Sequence, residues 1–263
     1  MPEPPALEVE QFTAESEAEW QIYAPTQDDL ICDDGIPMET YRHKLQMDIL
    51  VDAYGNWLTA NQQQGFVGGN MFVYFNPDQV RTQDYRGPDV FIVTHVPSGE
   101  RRSWVVWQEG KAPDVVIELL SPSTARQDKT QKKQIYQDQL RVTEYFWYDP
   151  FNPEDFAGFS LQRGVYQPLN FDAQQRLVSE QLGLALVRWQ GVFKHVEAMW
   201  LRWATLEGEL LPTDGELVEQ ERQRAEEERQ RAEEEHQRAE EERQRADRLA
   251  AKLRELGVEP DQS

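Results

Sequence analysis

The chain has 263 residues and a formal net charge of −21, from 48 acidic against 27 basic side chains. That length holds one sizeable domain plus an appendage. A surface this acidic repels phosphate backbones at long range, which counts against a high-affinity, non-specific nucleic-acid binder but not against a local basic groove or a cation-holding acidic site.

In chain order, residues 1–27 read as an irregular Pro- and Glu-rich arm, and its start, MPEPPALEVEQF, has neither the basic leader nor the apolar run of a signal peptide. DDLICDDGIPMET (28–40) suggests a short strand and turn. It carries the single cysteine, Cys32, which excludes an internal disulfide framework and fits a reducing cytosol. No stretch approaches the roughly 18 apolar residues of a membrane span. The expectation is a soluble cytoplasmic protein without a membrane partner. Leu45, Ile49, Leu50, Ala53, Tyr54, Trp57 and Leu58 recur at helical spacing and predict a helix over 41–58. FVGGNMFVYF (66–75) reads as a strand region whose glycines mark a bend or bulge.

GPDVFIVTHV (87–96) is a β-rich run, and SWVVWQEG (103–110) is a short strand or an extended loop. PDVVIELL (113–120) predicts a buried strand, followed by a helix over 124–140 started by Ser123 or Thr124 and a further strand at EYFWYDP (144–150). Strand, crossover helix and strand imply a parallel βαβ unit. AGFSLQRGVYQPL (157–169) predicts a hairpin turning at Arg-Gly, and LGLALVRWQGVF with AMWLRWATLEG closes the domain as strands. The fold class is mixed α/β.

From Glu216 the chain repeats every seven residues as ERQRAEE. Residues 216–256 hold 14 acidic and 10 basic side chains, a net of −4, and Glu259 and Asp261 add −2, which leaves about −15 on residues 1–215. Ala225, Ala232, Ala239 and Ala246 mark one heptad position, but the position three residues later holds Glu228, Glu235 and Glu242 before Leu249. A stable coiled coil needs two apolar positions per heptad. A charged, solvated helix is therefore expected, with a weak coiled coil through 216–256, strongest near Leu249, Leu253 and Leu256, as the alternative.

The sequence has no Gly-rich phosphate loop, no Gly-x-Ser-x-Gly elbow and no Cys/His spacing suited to zinc. Carboxylates at strand ends remain, and these suit the hard cations Mg²⁺ or Mn²⁺. Asp89 opens one strand, and Glu118 lies near the exit of the next. By period-2 alternation Glu118 shares a face with Asp114, Val116 and Leu120, while Val115, Ile117 and Leu119 take the other. On the following helix Asp128, Lys132 and Tyr136 stand four residues apart on one stripe. Two carboxylates and a lysine are the parts that phosphodiester hydrolysis needs. Composition alone equally allows Asp89 a turn role, Glu118 a solvated strand end or an ion pair, and Lys132 and Lys133 a place on an exposed face.

GPDVFIV, then APDVVIELLSPST, then Asp128-x3-Lys132-x3-Tyr136, then RVTEYFWYDP together resemble the Uma-two family of bacterial endonucleases, within the PD-(D/E)xK, restriction-endonuclease-like superfamily. The resemblance runs from about residue 28 to 205, and the charged heptads also look like the tail of many such proteins. It implies a restriction-endonuclease-like core with flanking helices over 28–212, a helical tail over 213–263, and a Mg²⁺- or Mn²⁺-dependent nuclease site acting on DNA. It assigns metal binding to Asp89 and Glu118, and catalysis to these two with Lys132. In the wider superfamily the lysine stands two residues after the acid, where this chain has Leu120. The resemblance therefore moves the lysine to the helix, at Lys132 or Lys133. The earlier helix is expected to add a polar group, with Glu39, His43 and Gln46 as candidates. A homodimer follows from the fold class, because cutting both strands of a duplex needs two sites. The rival reading is a catalytically inactive nuclease-fold protein acting as an assembly or regulatory factor through its tail.

Overall fold

The structure, a computed structural model, describes residues 25–32, 40–76, 79 and 87–255. Most of the predicted arm, part of the segment 28–40 and Glu39 lie outside those residues. The described stretch 25–32 forms turn and bend rather than strand.

Helix α1 (Tyr41–Ala60) starts at Thr40, whose hydroxyl accepts the His43 N–H. Its buried face is the predicted stripe of Leu45, Ile49, Leu50, Ala53, Tyr54 and Leu58, joined by His43 and Gln46. A six-stranded sheet follows in the order β1 (Gly65–Gly69), β3 (Val90–Thr94), β5 (Val115–Leu119), β6 (Glu144–Tyr148), β7 (Phe156–Gln162), β8 (Val165–Pro168). Its strand pairs are antiparallel except β5–β6, which is parallel. A parallel neighbour needs a long crossover, and residues 125–140 supply it as one run of α3 (Ala125–Gln127), a π turn (Asp128–Lys132), α4 (Lys133–Ile135) and a second π turn (Tyr136–Leu140). The mixed α/β fold and its βαβ unit are thus as the sequence predicts, but the crossover is not the plain α-helix expected.

Two expectations change in detail. β1 pairs with β3 residue for residue, so its glycines make no bulge. Gly68 is instead a space-maker, because a Cβ there would stand 2.4 Å from the Phe91 ring. The 103–110 stretch is a two-residue strand, β4 (Trp104–Val105), parallel to β2 (Val73–Tyr74), and then a short helix, α2 (Val106–Glu109). The β7–β8 turn is Arg163-Gly164 as predicted, both with positive φ. The closing strands β9 (Leu177–Ser179), β10 (Leu184–Phe193) and β11 (Val196–Ala204) form a separate antiparallel sheet.

The two faces of β5 bury different partners. Val115, Ile117 and Leu119 join a core with Leu50, Ala53 and Tyr54 of α1 and with Leu184, Leu186, Leu201 and Trp203 of the second sheet. Val116 joins Phe91, Val93, Tyr145 and the crossover residues Ile135, Tyr136 and Leu140. Period-2 alternation therefore sends Glu118 to the crossover side.

Chain contacts divide the molecule into residues 1–211 and 212–263. In the second unit the Thr213 N–H and hydroxyl donate to the Glu216 carboxylate, at 2.9 and 3.1 Å, and start α5 (Asp214–Glu255), a helix of 42 residues. Every residue from Val218 to Leu249 is exposed, with Glu227–Arg231 and Glu234–Arg238 among the ion pairs along its surface.

Candidate active site

β3 and β5 run antiparallel with Val90 opposite Ile117 and Phe91 opposite Val116. One more step of that register sets Asp89 against Glu118. Like charges directly across a strand pair are destabilising, so this pairing needs compensation. Asp89 Oδ2 accepts the Leu119 N–H at 2.7 Å, and its carboxyl also lies within hydrogen-bonding reach of Glu118. Asp89 is half-buried, whereas Glu118 is 0% exposed.

The crossover closes over them. Lys132 Nζ donates to Glu118 Oε2 at 3.0 Å and pairs with Asp128 Oδ1 at 2.8 Å, and the Tyr136 hydroxyl donates to Glu118 Oε1 at 2.7 Å. Residues 128, 132 and 136 keep a four-residue beat, which drifts around an α-helix of 3.6 residues per turn. The wider π turns take up that drift and turn all three side chains toward the sheet. Ser121 starts the segment: its hydroxyl accepts the Thr124 N–H at 3.1 Å and lies 3.0 Å from both the Ser123 and Thr124 hydroxyls.

Three carboxylates around one ammonium leave the cluster negatively unbalanced. Burial pushes Glu118 up to about 7, against the pull of Lys132 and Tyr136, with Asp89 adding to the rise. Burial likewise raises Asp89 and Asp128, and the Glu118 charge raises Asp128 further. Lys132 is raised as well, but by the opposite balance of causes. Burial disfavours its charge, but Glu118, Asp128 and Asp89 together outweigh burial and hold it above the usual lysine range. Among the described residues, no three His, Cys, Asp or Glu side chains gather as a metal cage.

A model of the family described as "Putative restriction endonuclease", Uma2, matches residues 9–190, more than half of the chain. The chain belongs to the Uma2 family. The Uma2 match takes in Asp89, Glu118, Asp128, Lys132 and Tyr136 and stops within β10, short of the 205 that the sequence motifs suggested. Among solved structures, the chain is similar to one titled "Crystal structure of a putative nuclease belonging to DUF820 from Anabaena variabilis ATCC 29413", at 16% identity and a TM-score of 0.41, covering 60% of this chain and 90% of that one. A search of curated proteins found no match.

The structure sorts the remaining Uma2-site candidates. Lys133 turns outward, its Nζ 3.2 Å from the Phe159 ring centroid and 5.6 Å from that of Trp147. His43 is buried and fully engaged: Nε2 lies 3.0 Å from the Leu120 carbonyl, and Nδ1 lies 2.8 Å from the Thr40 hydroxyl. A carbonyl only accepts, so Nε2 carries the proton. His43 thereby fastens the strand end beside Glu118 and does not approach the carboxylates through either nitrogen. Gln46 clamps Leu201 through both backbone groups, at 2.8 and 2.9 Å. Asp114 shares the face of Glu118 but serves the far end of β5, where it accepts from the Thr94 N–H and hydroxyl and pairs with Lys111 at 2.7 Å. The sequence put Asp128 and Tyr136 on the Lys132 stripe without giving them work. Their signal was that same four-residue spacing.

Proposed function

We propose that the protein is a metal-dependent endonuclease hydrolysing DNA phosphodiester bonds at Asp89, Glu118 and Lys132. The observation that carries this reading is the Lys132–Glu118 contact across the crossover, at 3.0 Å. It supplies from the helix the lysine that the strand lacks at Leu120.

The donor set suits a hard cation. Asp89 and Glu118 offer only carboxylate oxygens, and the excess negative charge around a single lysine favours a further positive ion. Mg²⁺ is commonly held by one or two carboxylates with water and substrate oxygens completing the shell. Asp89 and Glu118 would hold Mg²⁺ or Mn²⁺, which supplies Lewis-acid polarisation of a phosphoryl oxygen and a lowered pKa for bound water.

The chain's own residues do the rest. The Tyr136 hydroxyl fixes one oxygen of Glu118 and so orients the carboxylate. Asp128 holds the Lys132 ammonium in place, and three surrounding carboxylates keep it protonated. A permanently charged Lys132 acts as an electrostatic stabiliser of the charge that develops on phosphate oxygens, rather than as a proton acceptor. Val116, Tyr145 and Ile135, packed in one buried cluster on the crossover side of the sheet, keep water from Glu118.

Incubation of supercoiled plasmid with Mg²⁺ or Mn²⁺ tests this. Wild type should nick or linearise it, and D89A, E118Q and K132A should each lose the activity by at least about 100-fold. Cleavage untouched by all three substitutions would remove the site assignment. No cleavage, with no cation binding by calorimetry, would favour the inactive, regulatory reading.

A further inference from the structure

Beside the acidic site, on the same face of the sheet, lies a cationic and aromatic ledge that the chemistry above does not use. Trp147 is the β6 partner of Glu118 in the parallel register, so it flanks that carboxylate one strand away. Its ring is approached by two lysines, Lys129 Nζ at 5.5 Å and Lys133 Nζ at 5.6 Å from the centroid. Phe159 on β7 stacks obliquely on Trp147 at 4.9 Å and carries Lys133 over its own face. Lys129 pairs with Asp155, which also accepts from the Trp147 indole N–H at 3.1 Å. Lys133 has no carboxylate partner among the described residues. It follows Lys132 directly in the chain, so the crossover offers one cation to the buried carboxylates and the next to the rim. Exposed Arg126 lies one turn before Lys129 on the same segment.

This concentration is unusual in a chain of net charge −21. A cation resting on aromatic faces is held electrostatically yet keeps donors free, because a ring accepts no full hydrogen bond. We propose that Lys129 and Lys133, seated on Trp147 and Phe159, form the contact for a nucleic-acid backbone phosphate adjoining the scissile one, and so position the strand over Glu118. The proposal rests on the endonuclease reading. It assigns the ledge to phosphate rather than base recognition, since the lysines cover the ring faces that a base would stack on. Asp155 competes for Lys129, and a strand phosphate would take over that partner.

Fluorescence anisotropy of the full-length protein with a labelled duplex, in Ca²⁺ and over roughly 50–200 mM salt, reads this out. K133Q and K129Q should each weaken binding by about three- to tenfold and lower the salt slope by roughly one, whereas K133R should restore both. D155N should tighten binding, and K194Q, at the β10–β11 turn, should change nothing. Unchanged affinity and slope in K129Q and K133Q, with melting temperatures like wild type, would overturn the ledge. If plasmid cleavage still depends on Asp89, Glu118 and Lys132, only the ledge falls; if wild type neither binds nor cuts DNA, both readings fall.

Discussion

The Lys132 ammonium lies 3.0 Å from Glu118, although the two are 14 residues apart and on different elements. The contact exists because β5 and the crossover face each other across one layer of side chains. It also sets three carboxylates against one lysine, an arrangement that costs stability without a further cation.

The first prediction follows from that excess charge. Burial raises the folded-state pKa of Glu118 from 4.5 to about 7. A carboxyl raised on folding contributes stability fully below its unfolded value, and the contribution is lost as pH rises through the folded value. Wild type should therefore lose stability between about pH 4.5 and 7, by at most on the order of 3 kcal/mol from this group. E118Q should show less of that loss and melt at or above wild type at pH 8. Thermal melts of both proteins at pH 5 and 8 check it, and an identical pH response in the two would refute it.

Cation addition should reverse the penalty. At pH 8, Mg²⁺ or Mn²⁺ is expected to raise the wild-type melting temperature by linkage, and EDTA to return it. D89A and E118Q should show little of the shift. Differential scanning calorimetry with and without chelator is the measurement, and equal shifts in all three proteins would place the cation elsewhere.

Asp128→Asn should test how Lys132 is held. The substitution keeps the shape but removes one of the charges flanking the ammonium, at 2.8 Å. Activity should fall by about tenfold, the loss of one charge-assisted contact, while DNA affinity at the rim stays unchanged. A binding defect as large as the rate defect would mean that Asp128 acts outside the site.

His43→Ala separates a fastening from a ligand. It leaves the buried Leu120 carbonyl without its donor, which should cost about 1–3 kcal/mol of stability. Cation affinity per folded molecule should hold. Isothermal titration below the melting temperature distinguishes the two, because a true ligand would weaken cation binding in a protein that is still folded.

Much of this was legible in the residues. Period-2 alternation in VVIEL correctly separated Glu118 from Val115, Ile117 and Leu119, and the spacing from Leu45 to Leu58 gave the buried face of α1. The turn residues Arg163-Gly164 marked a hairpin because that backbone needs positive φ. The π turns were not legible, since they depend on where the crossover packs rather than on local propensity. The antiparallel pairing that sets Asp89 against Glu118 was equally hidden, for strand order is a long-range property. His43 was a candidate as a polar residue on the helix expected to complete the site, yet its ring turns to a carbonyl that no sequence pattern marks.

Gln46 has a consequence for assembly. β11 is an outer strand of its sheet, and the N–H and C=O of Leu201 point away from β10 to meet the Gln46 amide. A side-chain amide has the same donor and acceptor as a peptide group, so Gln46 acts as a one-residue neighbouring strand. The border of the sheet is sealed there against strand addition by another molecule. A strand arriving from another molecule would find the backbone groups of Leu201 already taken.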